Sequence, residues 1–254
     1  DVNVTTQEPA STGDLIKSGS GDSRWGVRVA IGGSSNDWFG AGAGGVAYVG
    51  SFNWNTDTPT YVFPAQLGNG FEKYVAEAVS HEAGHTLGLY HDGNSTTGYY
   101  SGHGSGETAW APIMGVGYYN NLSQWSRGEY SDANNHEDDL AIITSQNGFG
   151  YRADDYGNSN GTGSAANLVN STTIDAAGII ERNTDVDVFS FTTGAGIVSI
   201  DVREFERGPN LDILVQLYNS GGSLVATANP TDFLDAQLSA SVAAPPRNDH
   251  SDVR

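Results

Sequence analysis

The chain has 254 residues, of which 30 are acidic and 11 are lysine or arginine, and its net charge at pH 7 is −19. Nucleic acids and anionic membrane surfaces are bound through clustered basic residues, so neither is expected as a partner. Because cysteine is absent, the chain has no disulfide bond, thiolate metal site or cysteine nucleophile. No apolar run reaches the length of about 18 residues that predicts a membrane span.

Residues 1–152 begin with short strand-like runs. The segments WGVRVAIGG (25–33) and GGVAYVGSF (44–52) are apolar, contain β-branched residues and are bounded by glycine or a turn, which predicts strands. The run YVF (61–63) is a third candidate strand.

Two helices are predicted further along the chain. In FEKYVAEAVSHEAGHTLGLY (71–90), apolar residues recur near a period of 3.6, which indicates a buried helix that Gly88 ends. HEDDLAIITSQNG (136–148) has an acidic first turn and a glycine at its end, which predicts a second helix with His136 as a capping residue. Strands and helices mixed in this way predict a domain of the α+β class.

The composition changes after residue 152. Residues 153–163 are rich in glycine, asparagine and serine, which predicts a linker. Residues 164–254 carry alternating runs such as DVDVFSFTT and GIVSIDVRE, and a hairpin turn is predicted at Asn219–Gly222. Short strands at this spacing predict an all-β sandwich. The strand pattern breaks at Pro245–Pro246, so we expect the sandwich to be incomplete.

Three of the six histidines lie within the segment HEAGHTLGLYH (81–91). His81 and His85 are four residues apart, which places both imidazoles on one face of the predicted helix. A positive φ at Gly88 would turn the chain back and bring His91 to the same point. Three imidazoles with an open fourth position are the ligand set of a catalytic zinc ion.

Glu82 follows the first of these histidines and can reach the open position without binding the metal. A carboxylate there takes a proton from zinc-bound water, whose pKa the metal lowers to about 7. Two histidines four residues apart are by themselves often surface residues or a packed pair. The added glutamate, glycine and third histidine favour a catalytic zinc site with Glu82 as the general base.

The segment HEAGHTLGLYH resembles the long zinc motif HExxHxxGxxH of the metzincin metalloendopeptidases. That family has a methionine-containing turn beneath the metal, and the single methionine of this chain, Met114, follows the motif. An aspartate directly after the third histidine, here Asp92, makes the segment resemble the adamalysin (reprolysin) or matrixin branch of the family. The resemblance is to bacterial-type members. The resemblance implies an α/β/α catalytic domain with a mixed twisted sheet and an active-site helix. It also implies that Gly88, Asp92 and Met114 are structural residues of the zinc site.

The same resemblance suggests where substrate would lie. The segment 44–52 corresponds to the edge strand above the cleft, where Gly45, Val46 and Ala47 would pair with an extended peptide by β-augmentation. Tyr118 and Tyr119 would line the wall of the specificity pocket. The family's catalytic domain starts with a further strand and helix, so we expect these two elements to be missing from the chain.

Residues after the predicted linker resemble the pre-peptidase C-terminal (PPC) domains of bacteria, which are β-sandwich modules of secreted peptidases. The resemblance is carried by IIERNTDVDVFSFTT and NLDILVQLYNSGGSLVATANP. Four acids cluster in sequence around the start of this region and its DVDVF run: Asp154, Asp155, Asp185 and Asp187. Carboxylate oxygens bind calcium, so these residues are a candidate calcium site.

These features predict a secreted, monomeric zinc endopeptidase that hydrolyses extracellular proteins, with Zn²⁺ as cofactor and Ca²⁺ as a second candidate ion. Two alternatives stay open. One is a catalytically idle zinc-binding fold that serves in adhesion to matrix or polysaccharide, although retention of Glu82 argues against it. The other is a metal-dependent hydrolase that acts on non-peptide amides.

Overall fold

The computed structural model describes residues 3–159, 166–168, 173–243 and 251–253. The chain divides into two compact units, Asp1–Gly150 and Tyr151–Arg254. The first unit is mixed α/β, whereas the described part of the second contains strands and no helix. None of the described helices has the length and apolarity that crossing a bilayer requires.

The described part of the first unit has five short strands and three helices. In chain order these are β1 (Val29–Ile31), α1 (Ser35–Phe39), β2 (Gly45–Val46), β3 (Thr60–Val62), α2 (Glu72–Thr86), β4 (Trp110–Pro112), β5 (Leu122–Gln124) and α3 (Asp139–Gln146). Strands β1 and β3 are parallel, and β2 runs antiparallel to β3. The order β1-β3-β2 leaves β2 at one edge of this sheet, and β4 and β5 form a separate parallel pair.

Two predictions for this unit were wrong in detail. The strand predicted over 44–52 covers only Gly45–Val46, and later in the same segment Gly50 takes a φ of +76° and the chain forms a single 3-10 turn at Ser51–Asn53. The second helix starts later than predicted, since the side chain of Asp138 accepts a hydrogen bond from the Ala141 N–H and caps α3. His136 is therefore not the capping residue.

Helix α2 is held by two apolar clusters. Its middle packs through Ala78 on a cluster with Val62 and Leu67, next to the sheet. Beyond its end, Leu87 belongs to a second buried cluster, whose other members are Phe52, Leu89, Met114 and Ile143. Burying each large apolar side chain stabilises the fold by about 1.5–3 kcal/mol, so both clusters fix the position of the helix.

The second unit has seven described strands: β6 (Ala166–Leu168), β7 (Phe189–Phe191), β8 (Gly196–Val202), β9 (Val215–Tyr218), β10 (Leu224–Ala228), β11 (Ala236–Val242) and β12 (Ser251–Val253). Five form one sheet in the order β10-β9-β12-β7-β6, and β8 pairs with β11 along seven residues. Alternate residues of β9 and β11 share one buried core, which is why both runs alternate in sequence.

The hairpin predicted at Asn219–Gly222 is confirmed. Strands β9 and β10 are antiparallel, and the Gly222 N–H donates to the Asn219 carbonyl at 2.8 Å. The sandwich architecture stays a prediction. Part of the predicted linker (160–163) and the break at Pro245–Pro246 lie outside the described residues.

Candidate metal centre and active site

Helix α2 and the turn after it bring three histidines together. The rings of His81 and His85 lie one helical turn apart, with centroids separated by 4.8 Å. Gly88 has a φ of +109°, and the chain reverses so that the Leu89 N–H donates to the Gly84 carbonyl at 3.1 Å. This reversal places the His91 ring centroid 4.6 Å from that of His85.

Backbone carbonyls fix the orientation of two of the imidazoles. His81 Nδ1 lies 2.9 Å from the Ile113 carbonyl oxygen, and His85 Nδ1 lies 2.8 Å from that of Leu89. A carbonyl oxygen only accepts, so Nδ1 carries the proton and Nε2 keeps its lone pair. His85 Nε2 is 2.9 Å from His91 Nε2, and one ligand nitrogen of each histidine lies within 4.8 Å of the others. This donor set, with its carbonyl partners, fits a zinc ion.

Burial keeps the three imidazoles neutral. It lowers the pKa of His81 to about 3, with the nearby His85 as the second cause, and lowers the pKa of His91 to about 4. The pKa of His85 is also lowered by burial. Neutral imidazole is the form that binds a metal ion, so all three histidines are ready to bind at neutral pH.

Glu82 is buried on α2 and faces the edge strand β2 at Gly45. Burial raises the pKa of its carboxyl group to about 7. A group with a pKa near the working pH both takes up and releases a proton readily, which is the requirement for a general base that later acts as an acid. Together with a metal ion on the three histidines, such a carboxylate could support hydrolysis.

The segment containing Met114 contacts helix α2 and the residue after the third histidine. Met114 is fully buried, and its sulfur would stand 2.5 Å from a β-carbon at position 84, which explains the glycine within the helix at Gly84. The Met114 carbonyl accepts from the Asp92 N–H at 2.9 Å. Asp92 is itself buried, and burial raises its pKa to about 7, with the nearby charge of Glu137 as the second cause. These contacts tie the residue after the third histidine to the methionine segment.

A buried amide braces the turn that delivers the third histidine. The side-chain amide of Asn147, just after α3, donates to the carbonyls of Leu87 at 2.9 Å and Ile143 at 3.0 Å. Its oxygen accepts from the Asn53 amide at 2.7 Å. Asn147 thus links the end of α2, the end of α3 and the segment after β2.

The predicted substrate-binding residues lie in two places. Gly45 and Val46 form β2, and Ala47 directly follows it, so all three are at the edge of the sheet. Tyr118 is half-buried beside Gly44, and its pKa is raised to about 12, first by burial and then by the charge of Glu82. Tyr119, by contrast, is 76% exposed and packs on Tyr74.

Sequence reasoning missed Tyr99. Its ring centroid lies 4.3 Å from that of His91 and 6.1 Å from that of His81, so it covers one side of the histidine cluster. The residue belongs to a loop rich in glycine, serine, threonine and tyrosine, and nothing in its spacing distinguishes it from its neighbours.

The second unit gathers the predicted acids and one more. Carboxylate oxygens come within 4.8 Å of one another in two overlapping sets: Asp154, Glu181 and Asp185, and Asp154, Asp155 and Asp187. Both oxygens of Glu181 and one each of Asp185 and Asp187 are buried without a hydrogen-bond partner. Burial raises the pKa of Asp187 to about 7, and the charges of Asp155 and Asp185 add to this effect. Sequence reasoning did not single out Glu181, although it lies only four residues before Asp185.

Three neutral imidazoles beside a buried carboxylate are the arrangement of a metal-dependent hydrolase. Residues 7–92 match the model of the metallopeptidase family M12B, reprolysin-like, and this match includes all three histidines and Glu82. No curated protein and no solved structure matches the chain. The family match and the histidine geometry together support a zinc peptidase, and thus protein or peptide substrates.

Proposed function

We propose that the chain is a zinc endopeptidase of the metzincin type, adamalysin- or matrixin-like, whose ligands are His81, His85 and His91. The observation that carries this proposal is the convergence of three neutral imidazoles next to Glu82. Zinc bound there would act as a Lewis acid and would make a water molecule a better nucleophile at neutral pH.

Glu82 is the residue that moves the proton. Its carboxylate accepts a proton from the attacking water and later delivers it to the nitrogen that leaves, which its raised pKa favours at neutral pH. His81 and His85 donate their Nδ1 protons to backbone carbonyls, and the lowered pKa of each of the three histidines keeps it neutral. The histidines therefore do not compete with Glu82 for the proton.

We place the substrate as an extended strand along the free edge of β2. Gly45 and Val46 are paired only with β3 among the described strands, which leaves backbone groups at the other edge for a peptide. Tyr118 and Tyr119 would form a wall of the side-chain pocket, and Met114 would form the apolar floor beneath the histidines.

The proposal extends to the rest of the chain. Residues 1–152 would be the catalytic domain, 153–163 the linker and 164–254 a PPC-like sandwich of a secreted, monomeric enzyme. The carboxylates of the second unit would hold a calcium ion, since four of their oxygens are buried without partners. Glu181 would be a ligand in addition to the four aspartates predicted from sequence.

The test is hydrolysis of casein by the zinc-loaded chain, with Glu82→Gln as the variant and Glu72→Gln as the matched control. Glu72 lies exposed at the start of the same helix. Glu82→Gln should lower kcat by about 10²–10⁴-fold while zinc stays bound, and Glu72→Gln should not change it. Removing zinc with a chelator should abolish cleavage, and adding zinc back should restore it.

An inert parent protein that binds one zinc ion would favour the idle fold with an adhesive second unit. Tight binding to an insoluble polysaccharide would then support that alternative. Cleavage of simple amides without cleavage of peptides would instead favour the non-peptide hydrolase.

A further inference from the structure

The side chain of Tyr99 is built into the rim of the histidine cluster. Its ring packs on His91 and reaches toward His81, at centroid distances of 4.3 and 6.1 Å. Tyr99 is nevertheless 45% exposed, so part of the residue is open to solvent beside the histidines. A substrate that reaches the zinc position would pass beside this ring.

The loop that carries Tyr99 is fixed at both ends. On one side, the Asn94 N–H donates to the Thr97 carbonyl at 2.8 Å, and the Asn94 side chain accepts from the Thr97 N–H. On the other side, the Tyr100 N–H donates to the Asp92 carbonyl at 2.7 Å, and the Tyr100 ring stacks on Tyr130. The position of Tyr99 over the histidines therefore follows from the loop's own hydrogen bonds.

The hydroxyl group of Tyr99 is available to a substrate. Among the described residues it has no hydrogen-bond partner, and it lies close enough to Glu82 to feel the charge of that carboxylate. The ring contacts place Tyr99 beside two of the three histidines, within electrostatic range of Glu82. Burial raises the pKa of this phenol above its ordinary value of about 10, so it is protonated at neutral pH and can donate.

We propose that Tyr99 is a catalytic residue whose hydroxyl donates a hydrogen bond to the carbonyl oxygen of the bond being cut, as that oxygen becomes negative. This assignment rests on the proposed peptidase function. In the reaction the water oxygen bonds to the carbonyl carbon, and the carbon–nitrogen bond then breaks. The water proton travels through Glu82 to the leaving nitrogen, and Tyr99 keeps its own proton throughout.

The test compares Tyr99→Phe with Tyr100→Phe in the zinc-loaded full chain. Phenylalanine keeps the ring on His91, so a packing role alone would survive the change. Tyr100→Phe removes a hydroxyl from the neighbouring residue, where its partner among the described residues is His103 Nδ1 at 3.1 Å. Removing one donor to a developing oxyanion lowers kcat by about 10²–10³-fold. Tyr99→Phe should show a loss of about this size with KM and zinc content unchanged, and Tyr100→Phe should behave like the parent.

A second measurement separates catalysis from structure. A phosphinic peptide imitates the tetrahedral reacting carbon, so Tyr99→Phe should raise its inhibition constant by the same factor as it lowers kcat/KM. A kcat within twofold of the parent, or an unchanged inhibition constant, would overturn the assignment of Tyr99 alone. If the parent binds zinc but neither cleaves casein nor binds the phosphinic peptide, the peptidase function itself is overturned, and this assignment with it.

Discussion

Gly45 of strand β2 and Glu82 of helix α2 are in direct contact. A β-carbon on Gly45 would stand 2.6 Å from Oε1 of Glu82 and 2.5 Å from its Cγ, which is closer than real β-carbons approach other atoms. The edge strand thus lies against the carboxylate that is proposed to move the proton, and only glycine permits this distance.

We therefore expect Gly45→Ala to displace the Glu82 carboxylate. A misplacement of about 1 Å in a reacting group can lower the rate by about 100-fold, so kcat/KM should fall by one to two orders of magnitude. Zinc content should stay at one ion per chain, because the histidines are not touched. Gly42→Ala is the control, since nothing lies within 4 Å of a β-carbon there. If Gly45→Ala were as active as Gly42→Ala, the added methyl group would not displace the Glu82 carboxylate, and the prediction would be wrong.

Gly84→Ala should destabilise the first unit even though alanine favours helices by about 1 kcal/mol. The added β-carbon would meet the Met114 sulfur at 2.5 Å and the Trp125 ring at 3.0 Å, and overpacking typically costs about 1–3 kcal/mol. Urea unfolding followed by tryptophan fluorescence measures the change. In a Met114→Ala background the same substitution should be less harmful, and purely additive effects would contradict the contact.

Asp139 should make the stability of the first unit depend on pH. It is fully buried, and burial raises its pKa to about 8, whereas in the unfolded chain it titrates near 4. Between these values the folded state holds a proton that the unfolded state has lost, so the free energy of unfolding should fall as pH rises.

The variant Asp139→Asn should flatten this dependence. An amide oxygen can still accept the bond that the Ser126 N–H gives to Asp139, at 2.9 Å. Urea unfolding at about pH 5 and about pH 8 provides the measurement. Asp138→Asn is the control, because asparagine caps helices as well as aspartate does. A slope in Asp139→Asn as steep as in the parent would rule out this carboxyl as its source.

Calcium should raise the melting temperature of the second unit. Without a cation, burial raises the pKa of Asp187 to about 7. The free energy of unfolding of the second unit should therefore fall as pH rises from about 4 through 7. Bound calcium should remove this loss. Calorimetry is the suitable method, since all five tryptophans lie in the first unit. Glu181→Gln should weaken the calcium effect, and Glu206→Gln, at an exposed position, should not. A melting temperature unaffected by calcium would end the proposal of a calcium site.

The convergence of the three histidines could be predicted because local geometry decides it. His81 and His85 depend only on the helical repeat, and His91 only on one glycine turn. The short edge strand could not be read from 44–52, because the later part of this segment leaves the sheet and bonds to the end of helix α2, where the Gly50 N–H donates to the His85 carbonyl at 2.9 Å. Tyr99 is positioned by an irregular loop, and Glu181 meets Asp154 only because the fold brings two separate segments together, so neither leaves a periodic signal in sequence.

The amide of Asn147 has a consequence for how the enzyme is made. It braces the Leu87 carbonyl from a position 60 residues further along the chain. Proteins emerge from the ribosome from the N-terminus onward, so the motif carrying all three histidines is complete well before its brace exists. The turn that presents the third histidine gains this support only late in synthesis, which delays the finished site until most of the first unit has been made.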